Sequence, residues 1–147
     1  TFADPDQMRY WSRGPFESLG EFADWLCDPD WDGRCWAVLA KGENTAIGRL
    51  VVIPRGPGQS EVAYTIVRER QRQGIAAEAM RRLLDYLFGE ERHRRIQADT
   101  DPDNIPSNRL LGRLGFIVER RLKASWRTHI GVRDSFIWAL DAENWRA

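Results

Sequence analysis

"RERQRQGIAAEAMRRLL", residues 68–84, changes abruptly from charged side chains to small and apolar ones. Arg68, Arg70 and Arg72 lead into Gly74, and Ile75-Ala76-Ala77-Glu78-Ala79-Met80 then reads as the first turns of a helix. Ile75, Ala79, Met80, Leu83, Leu84, Leu87 and Phe88 fall on one stripe, with Arg81, Arg82 and Asp85 off it. This spacing predicts a helix over 75–88, ended by Gly89. Upstream, "EVAYTIV" (61–67) is strand-like, and downstream "RIQADT" (95–100) is a short strand. A strand that feeds a helix and then another strand is a crossover unit, and the rest of the chain is arranged around it.

Before this unit, Ser18 can cap a helix with Glu21 three residues on and an apolar stripe of Phe22, Trp25 and Leu26. "CWAVLA" (35–40) and "AIGRLVVI" (46–53) flank the turn residues Lys41-Gly42-Glu43-Asn44, a hairpin pattern, and "PRGPGQS" (54–60) reads as a breaker before 61–67. After the unit, "DPDNIPSNRLLGRLGF" holds a short helix with Leu110, Leu111 and Leu114 inward. "IVERRLKASW" and "DSFIWAL" then form an antiparallel pair around Gly131. The order is helix, three strands, helix, strand, helix, two strands, which implies a mixed sheet with helices packed on it, of the α/β (α+β) class. A chain of 147 residues suits one domain, residues 1–147, with one core.

The stretch from Gln71 to Ala76 joins a strand to a helix N-terminus. There the first amides lack intrahelical partners and the helix dipole favours an anion. Gly74 and Ala76 leave room for a phosphate to approach the main chain. Neither the GxxxxGK[ST] nor the GxGxxG pattern is present, and the same residues also suit an ordinary loop entering a helix.

Charge adds to the anion reading. Basic and acidic residues balance at 22 each, yet residues 68–133 carry 15 basic against 9 acidic side chains. Such a surplus attracts a phosphorylated ligand. A nucleic-acid binder would be more basic overall, and no apolar run approaches the ~20 residues that span a bilayer. Cys27 and Cys35 look embedded, are too few for a disulfide framework, and form no metal-ligand spacing with His93 and His129. No metal is expected, and reduced cysteines fit the cytoplasm.

A second element decides between loop and phosphate seat. "EVAYTIV" followed by "QRQGIAAEA", and about thirty residues later by "DNIPSNRLLGRLGF", resembles the GNAT superfamily of acyl-CoA-dependent N-acyltransferases. The family's acetyl-CoA motif, Gln/Arg-x-x-Gly-x-Gly/Ala, is matched by Gln71, Gly74 and Ala76. Its Asn-x-x-Ser motif, with a helix ending in Gly-Phe, is matched by Asn104, Ser107, Gly115 and Phe116. The wording is most similar to the ribosomal-protein-alanine acetyltransferase (RimJ/RimL-like) branch. Members of that branch carry a strand and a helix ahead of a "DP-x-x-M-R-Y" stretch, so the resemblance implies a first strand missing ahead of Thr1.

The resemblance also implies roles. The sheet would be splayed at a central bulged strand, 61–67, with helices on both faces. The main chain around Thr65, Ile66 and Val67 would run beside the pantetheine arm of acetyl-CoA (CoA). The amides of Arg72, Gln73, Gly74, Ile75, Ala76 and Ala77 would hold the pyrophosphate. Asn104 would bond the pantetheine arm, cap the following helix, or do both. Arg109 and Arg113 form a solvated face or reach the adenosine 3′-phosphate.

The reaction would be direct attack of a neutral amine on the thioester, with amides near Ile66 or Val67 holding the oxyanion. An N-terminal amine, pKa ~7.7, needs far less help to deprotonate than a lysine-like amine at ~10.4. Glu61, on the strand face of Ala63 and Thr65, is the candidate base; Val62, Tyr64 and Ile66 should face the helices. The position where many GNAT enzymes carry a tyrosine acid is Leu111, which leaves Ser107 as the candidate donor to the leaving thiolate, or no acid at all. Tyr64 reads as core packing. Trp11 and Trp31, in turn-rich segments, either shape the acceptor pocket or pack structurally. The partners implied are acyl-CoA and an amine acceptor, foremost a protein or peptide N-terminus, in a monomer or homodimer. A small amine such as an antibiotic or polyamine, and a non-catalytic acyl-CoA-binding module, are the alternatives.

Overall fold

The computed structural model describes residues 1–146. Six strands, β1 (Arg34–Leu39), β2 (Ala46–Gly56), β3 (Gln59–Ile66), β4 (Arg95–Thr100), β5 (Ile117–Thr128) and β6 (Gly131–Asp141), form one sheet in the order β1-β2-β3-β4-β6-β5. Three helices, α1 (Leu19–Leu26), α2 (Ile75–Asp85) and α3 (Ile105–Arg113), complete the fold. β3 and β4 pair in parallel across the α2 crossover, and the other neighbours are antiparallel. The mixed, mostly antiparallel α+β sheet is the one expected.

Alternation along β3 is clean. Val62 and Ile66 are buried on the face covered by α2 and α3, together with Leu50 and Val52 of β2. Met80, Leu84 and Leu87 on one side and Leu111 on the other reach down from the helical layer and are fully buried. α1 lies on the opposite face, where the Arg49 guanidinium of β2 sits 4.8 Å from the Trp25 ring. Ser18 caps α1 by accepting from the Glu21 amide at 3.1 Å, and the Glu21 carboxylate returns to the Glu17 amide at 2.9 Å.

Several expectations are corrected. The supposed breaker at 54–60 lies largely inside the strands, because Gly56 (φ 122°) and Gly58 (φ 68°) turn the chain tightly between β2 and β3. Gly89 does not end the crossover helix. The chain continues past Asp85 in a wider turn over Tyr86–Glu90, held by the buried Leu87 and a Glu91 amide bond to Tyr86 O, and Arg92 (φ 58°) makes the exit. Cys27 and Cys35 are exposed free thiols rather than embedded ones, and Cys35 Sγ accepts from the Arg49 guanidinium. Trp11 and Trp31, by contrast, follow the packing alternative: Trp11 sits in an aromatic cluster with Phe2 and Trp25, at centroid distances of 5.4 and 6.4 Å, and Trp31 lies beside Arg49. Among the described residues no helix is long and apolar enough to cross a membrane.

Candidate active site

β3 and β4 pair over three residues only, Gln59↔Arg95, Ser60↔Ile96 and Glu61↔Gln97. Beyond Glu61 the strands part, so the C-terminal half of β3 borders a wedge. The splay needs no bulge in β3. Its pairing with β2 keeps one register from Gly48↔Ile66 to Pro54↔Ser60, and the irregularity lies at the hairpin end, between Pro54 and Gly56. The expected bulged strand is therefore corrected: parting from β4 alone opens the gap.

That register decides which main-chain groups border the wedge. Val67 N donates to Ile47 O at 2.9 Å. Antiparallel partners alternate between hydrogen-bonded and non-bonded pairs. Val67, Thr65, Ala63 and Glu61 therefore direct their main-chain groups at β2, and Val62, Tyr64 and Ile66 direct theirs into the wedge. Of the three residues expected beside the pantetheine arm, only Ile66 presents its main-chain groups to the wedge; those of Thr65 and Val67 are directed at β2. Tyr64 shares that parity with Ile66.

α2 and α3 both begin where the parted strands end. On the β3 side, the turn into α2 has Arg72 (φ 59°) and Gly74 (φ 82°) in left-handed conformation. A non-glycine residue there is strained, and alternating backbone handedness points successive amides into one concavity. The first amide of this region to find a main-chain partner is Glu78, which donates to Gly74 O at 3.0 Å. Among the described residues, the six amides of Arg72, Gln73, Gly74, Ile75, Ala76 and Ala77 donate to no main-chain carbonyl. A methyl group at Gly74 would meet nothing within 4 Å, so the concavity is open. Gln71 ties this turn to the wedge, its Nε2 donating to Ile66 O at 2.9 Å.

On the β4 side, Asn104 caps α3 through Oδ1, which accepts from the Ser107 amide at 3.4 Å and leaves its Nδ2 free to donate. Ser107 Oγ lies 2.7 Å from the Tyr64 hydroxyl. Asn108, which the sequence reading did not single out, pins the loop by accepting from Thr100 Oγ1 and donating to the carbonyls of Asp101 and Pro102. Only its place beside Ser107 in "SNRLLGRLGF" could have drawn attention to it. Leu111 is fully buried in the core, so the position that carries a tyrosine acid elsewhere offers no group to the wedge here. Arg109 and Arg113 are exposed on α3.

Glu61 sits at the point where pairing with β4 ends, on the face away from α2 and α3. Its Oε2 accepts from Arg55 Nε at 3.0 Å. Carboxylates near the same face are engaged too. Asp99 accepts from Trp126 Nε1 at 2.7 Å, and Arg133 holds both Asp101 and Asp103. The guanidinium beside Asp101 keeps that carboxyl below its usual range against the opposing effect of burial. Asp24, Asp28, Asp30 and Asp32 are exposed.

A wedge between parallel strands, with an open amide nest at one lip and a capped helix at the other, suits a long ligand with an anionic end. The profile of the Acetyltransferase (GNAT) domain family matches residues 1–117. The chain belongs to this GNAT acetyltransferase family. It is 29% identical over 129 residues to the uncharacterized N-acetyltransferase p20 of Bacillus licheniformis, covering 83% of this chain and 72% of the relative. It is 30% identical over 118 residues to the spermidine N(1)-acetyltransferase of Escherichia coli strain K12, covering 78% of this chain and 63% of the relative. The crystal structure of a GNAT acetyltransferase from Bacillus anthracis superposes with a TM-score of 0.86 at 25% identity, over 97% of this chain and 85% of that one. A spermidine N-acetyltransferase from Vibrio cholerae, in complex with CoA and spermine, shares the fold with a TM-score of 0.84 at 23% identity, over 97% and 86% of the chains. This GNAT protein is thus an acetyl-CoA-dependent N-acetyltransferase.

The nest fits the cofactor's anionic end. Unpartnered amides at a helix N-terminus match a pyrophosphate, and the residues that form them are those of the family's acetyl-CoA motif.

Proposed function

We propose that residues 1–147 form one acetyltransferase domain that transfers an acyl group from acetyl-CoA to the α-amine of a protein or peptide N-terminus. The observation that carries this reading is the run of six open amides, 72–77, beside the β3 edge that β4 leaves unpaired, where the Ile66 amide faces the wedge while its carbonyl accepts from Gln71. The amides hold the pyrophosphate, and the pantetheine arm lies along the β3 edge, taking the strand position that β4 vacates. Asn104 Nδ2 donates to the arm from the opposite lip. The Ile66 amide faces the thioester carbonyl and holds the oxyanion; the Val67 amide is spent on Ile47 O. Glu61, directly or through water, takes the proton of the attacking amine. Ser107 donates a hydrogen bond to the departing sulfur.

The preference for an N-terminus rests on charge. A polyamine needs several unpaired carboxylates at the acceptor side, yet Glu61, Asp101 and Asp103 each already hold an arginine. A single α-amine carries one charge and needs no such cluster; its ~7.7 pKa leaves an ample neutral fraction at neutral pH, and Glu61 alone serves as its base. The ribosomal-protein-alanine acetyltransferase branch is the corresponding affiliation. The likeness to the spermidine enzyme from Escherichia coli favours the polyamine as the second reading. A CoA-consuming enzyme with exposed free thiols works in the cytoplasm.

Incubating the protein with acetyl-CoA and a panel of peptides and small amines, with release of free thiol as the readout, tests the proposal. Turnover with peptides that carry a free N-terminus, and loss of turnover when that terminus is blocked, is the expected result. Turnover confined to polyamines would move the assignment to the second reading. Tight CoA binding without turnover on any amine would point to a binding module.

A further inference from the structure

Tyr64 occupies an unusual position for a residue that the sequence presents as core. Its main chain borders the wedge, while its ring passes beneath the first turn of α3 and ends at Ser107. The hydroxyl lies 2.7 Å from Ser107 Oγ and 3.4 Å from Ser107 O. The second contact is too long to take the phenolic hydrogen firmly. A serine hydroxyl has one hydrogen to give and two lone pairs to receive with. If Ser107 spent its hydrogen on the phenol, it would have none for a ligand. The phenol is the more acidic O–H of the two and hence the better donor.

We propose that Tyr64 is a positioning residue: its hydroxyl donates to Ser107 Oγ and so aims the Ser107 hydrogen into the wedge, at the thioester sulfur. This inference rests on the role given to Ser107 above. Asn104 Oδ1 faces the Ser107 amide at 3.4 Å, a contact as long as that to Ser107 O, so the 2.7 Å bond from Tyr64 is the firm one on this serine.

The pair stabilises the leaving sulfur without passing a proton to it. When the tetrahedral adduct collapses, the C–S bond breaks and its electron pair stays on sulfur. The proton of the attacking amine goes to Glu61 or water. Burial pushes the Tyr64 phenol up to about 12, although its bond to Ser107 pulls the other way. A thiol ionises near ~8.5, so relaying the phenolic proton to the thiolate would run uphill by roughly three orders of magnitude. The sulfur therefore departs as a thiolate, hydrogen-bonded by Ser107, and takes its proton from solvent afterwards.

A double-mutant cycle separates this role from packing. Ser107→Ala is expected to lower kcat about tenfold. Tyr64→Phe should lower kcat by a similar factor, with KM for acetyl-CoA unchanged. In the Ser107→Ala background, Tyr64→Phe should have no further effect. Losses that multiply in the double variant, or a Tyr64→Phe enzyme with wild-type kcat beside an impaired Ser107→Ala enzyme, would overturn the role of Tyr64 and leave that of Ser107 standing. A Ser107→Ala enzyme with full kcat would instead remove Ser107 from the mechanism, and Tyr64 with it. Site-specific incorporation of a ring-fluorinated tyrosine at 64 keeps the shape and lowers the pH at which the phenol loses its hydrogen. It should add a descending alkaline limb to the kcat profile; an unchanged profile would count against the proposal.

Discussion

The Gln71 side chain donates to the Ile66 main-chain carbonyl at 2.9 Å, joining the turn of open amides to the last residue of the strand that borders the wedge. One side chain thus ties together the two surfaces proposed to receive a single extended cofactor. Gln71→Ala removes one hydrogen bond, worth about 1 kcal/mol. Because the bond exists without the cofactor, the expected outcome is a melting temperature lower by about 2–4 °C, and an acetyl-CoA Kd weakened at most about fivefold by titration calorimetry as the turn loses its preorganisation.

Gly74 is expected to separate strain from binding. At φ 82° with nothing within 4 Å of an added methyl, Gly74→Ala should cost about 1 kcal/mol of stability from the backbone alone. Gly74→Glu places bulk and negative charge against the pyrophosphate and should abolish acetyl-CoA binding. Unchanged affinity in the Gly74→Glu protein would falsify the assigned seat.

Glu61 and Arg55 form an ion pair at the base of the wedge. With Glu61 as general base, Glu61→Gln should lower kcat/KM near pH 7 by about 10²-fold. The deficit should shrink as pH rises past the pKa of the acceptor amine, because the amine is then neutral without help. A pH-independent deficit would point to positioning rather than proton transfer.

Glu91 gives an acid-stability prediction. Its carboxylate accepts from both terminal nitrogens of Arg34, at 2.5 and 2.7 Å, and this pair, opposed by partial burial, brings its pKa down to about 2. The unfolded value is ~4.3, so the folded state gains from this group at every pH above that value. The gain is lost as pH falls from ~4.3 toward about 2. Glu91→Gln should therefore flatten the dependence of the melting temperature on pH across that window, and an unaltered slope would show that other carboxylates govern acid unfolding.

Core packing supplies a stability contrast. Leu84 is fully buried beneath α2, whereas Leu19 at the start of α1 is 81% exposed. Leu84→Ala should cost about 2–5 kcal/mol in denaturant unfolding, and Leu19→Ala should stay within ~0.5 kcal/mol of the parent.

Much of this was legible along the chain because it is local. The α2 stripe, the Ser18 and Asn104 caps and the open amides of 72–77 each depend on residues within one or two turns. The exit of the crossover helix was misread because the burial of Leu87 and the distant Arg34–Glu91 pair carry the chain past Gly89. The sequence presents Cys35 as embedded, but strand parity turns it to the surface beside Arg49.

The sequence by itself determined the element order, the face that β3 buries, and the open amides at the start of α2, since periodicity and helix termini are written in neighbouring residues. Only the tertiary structure decided which edge of β3 is free, because that parity follows from the register with β2. It puts Tyr64 and Ile66 at the wedge in place of Thr65 and Val67. Only the structure, likewise, joined Tyr64 to Ser107 across 43 residues. A hydrogen bond at that separation depends on how α3 docks on the sheet, and docking is fixed by the packing of the whole core.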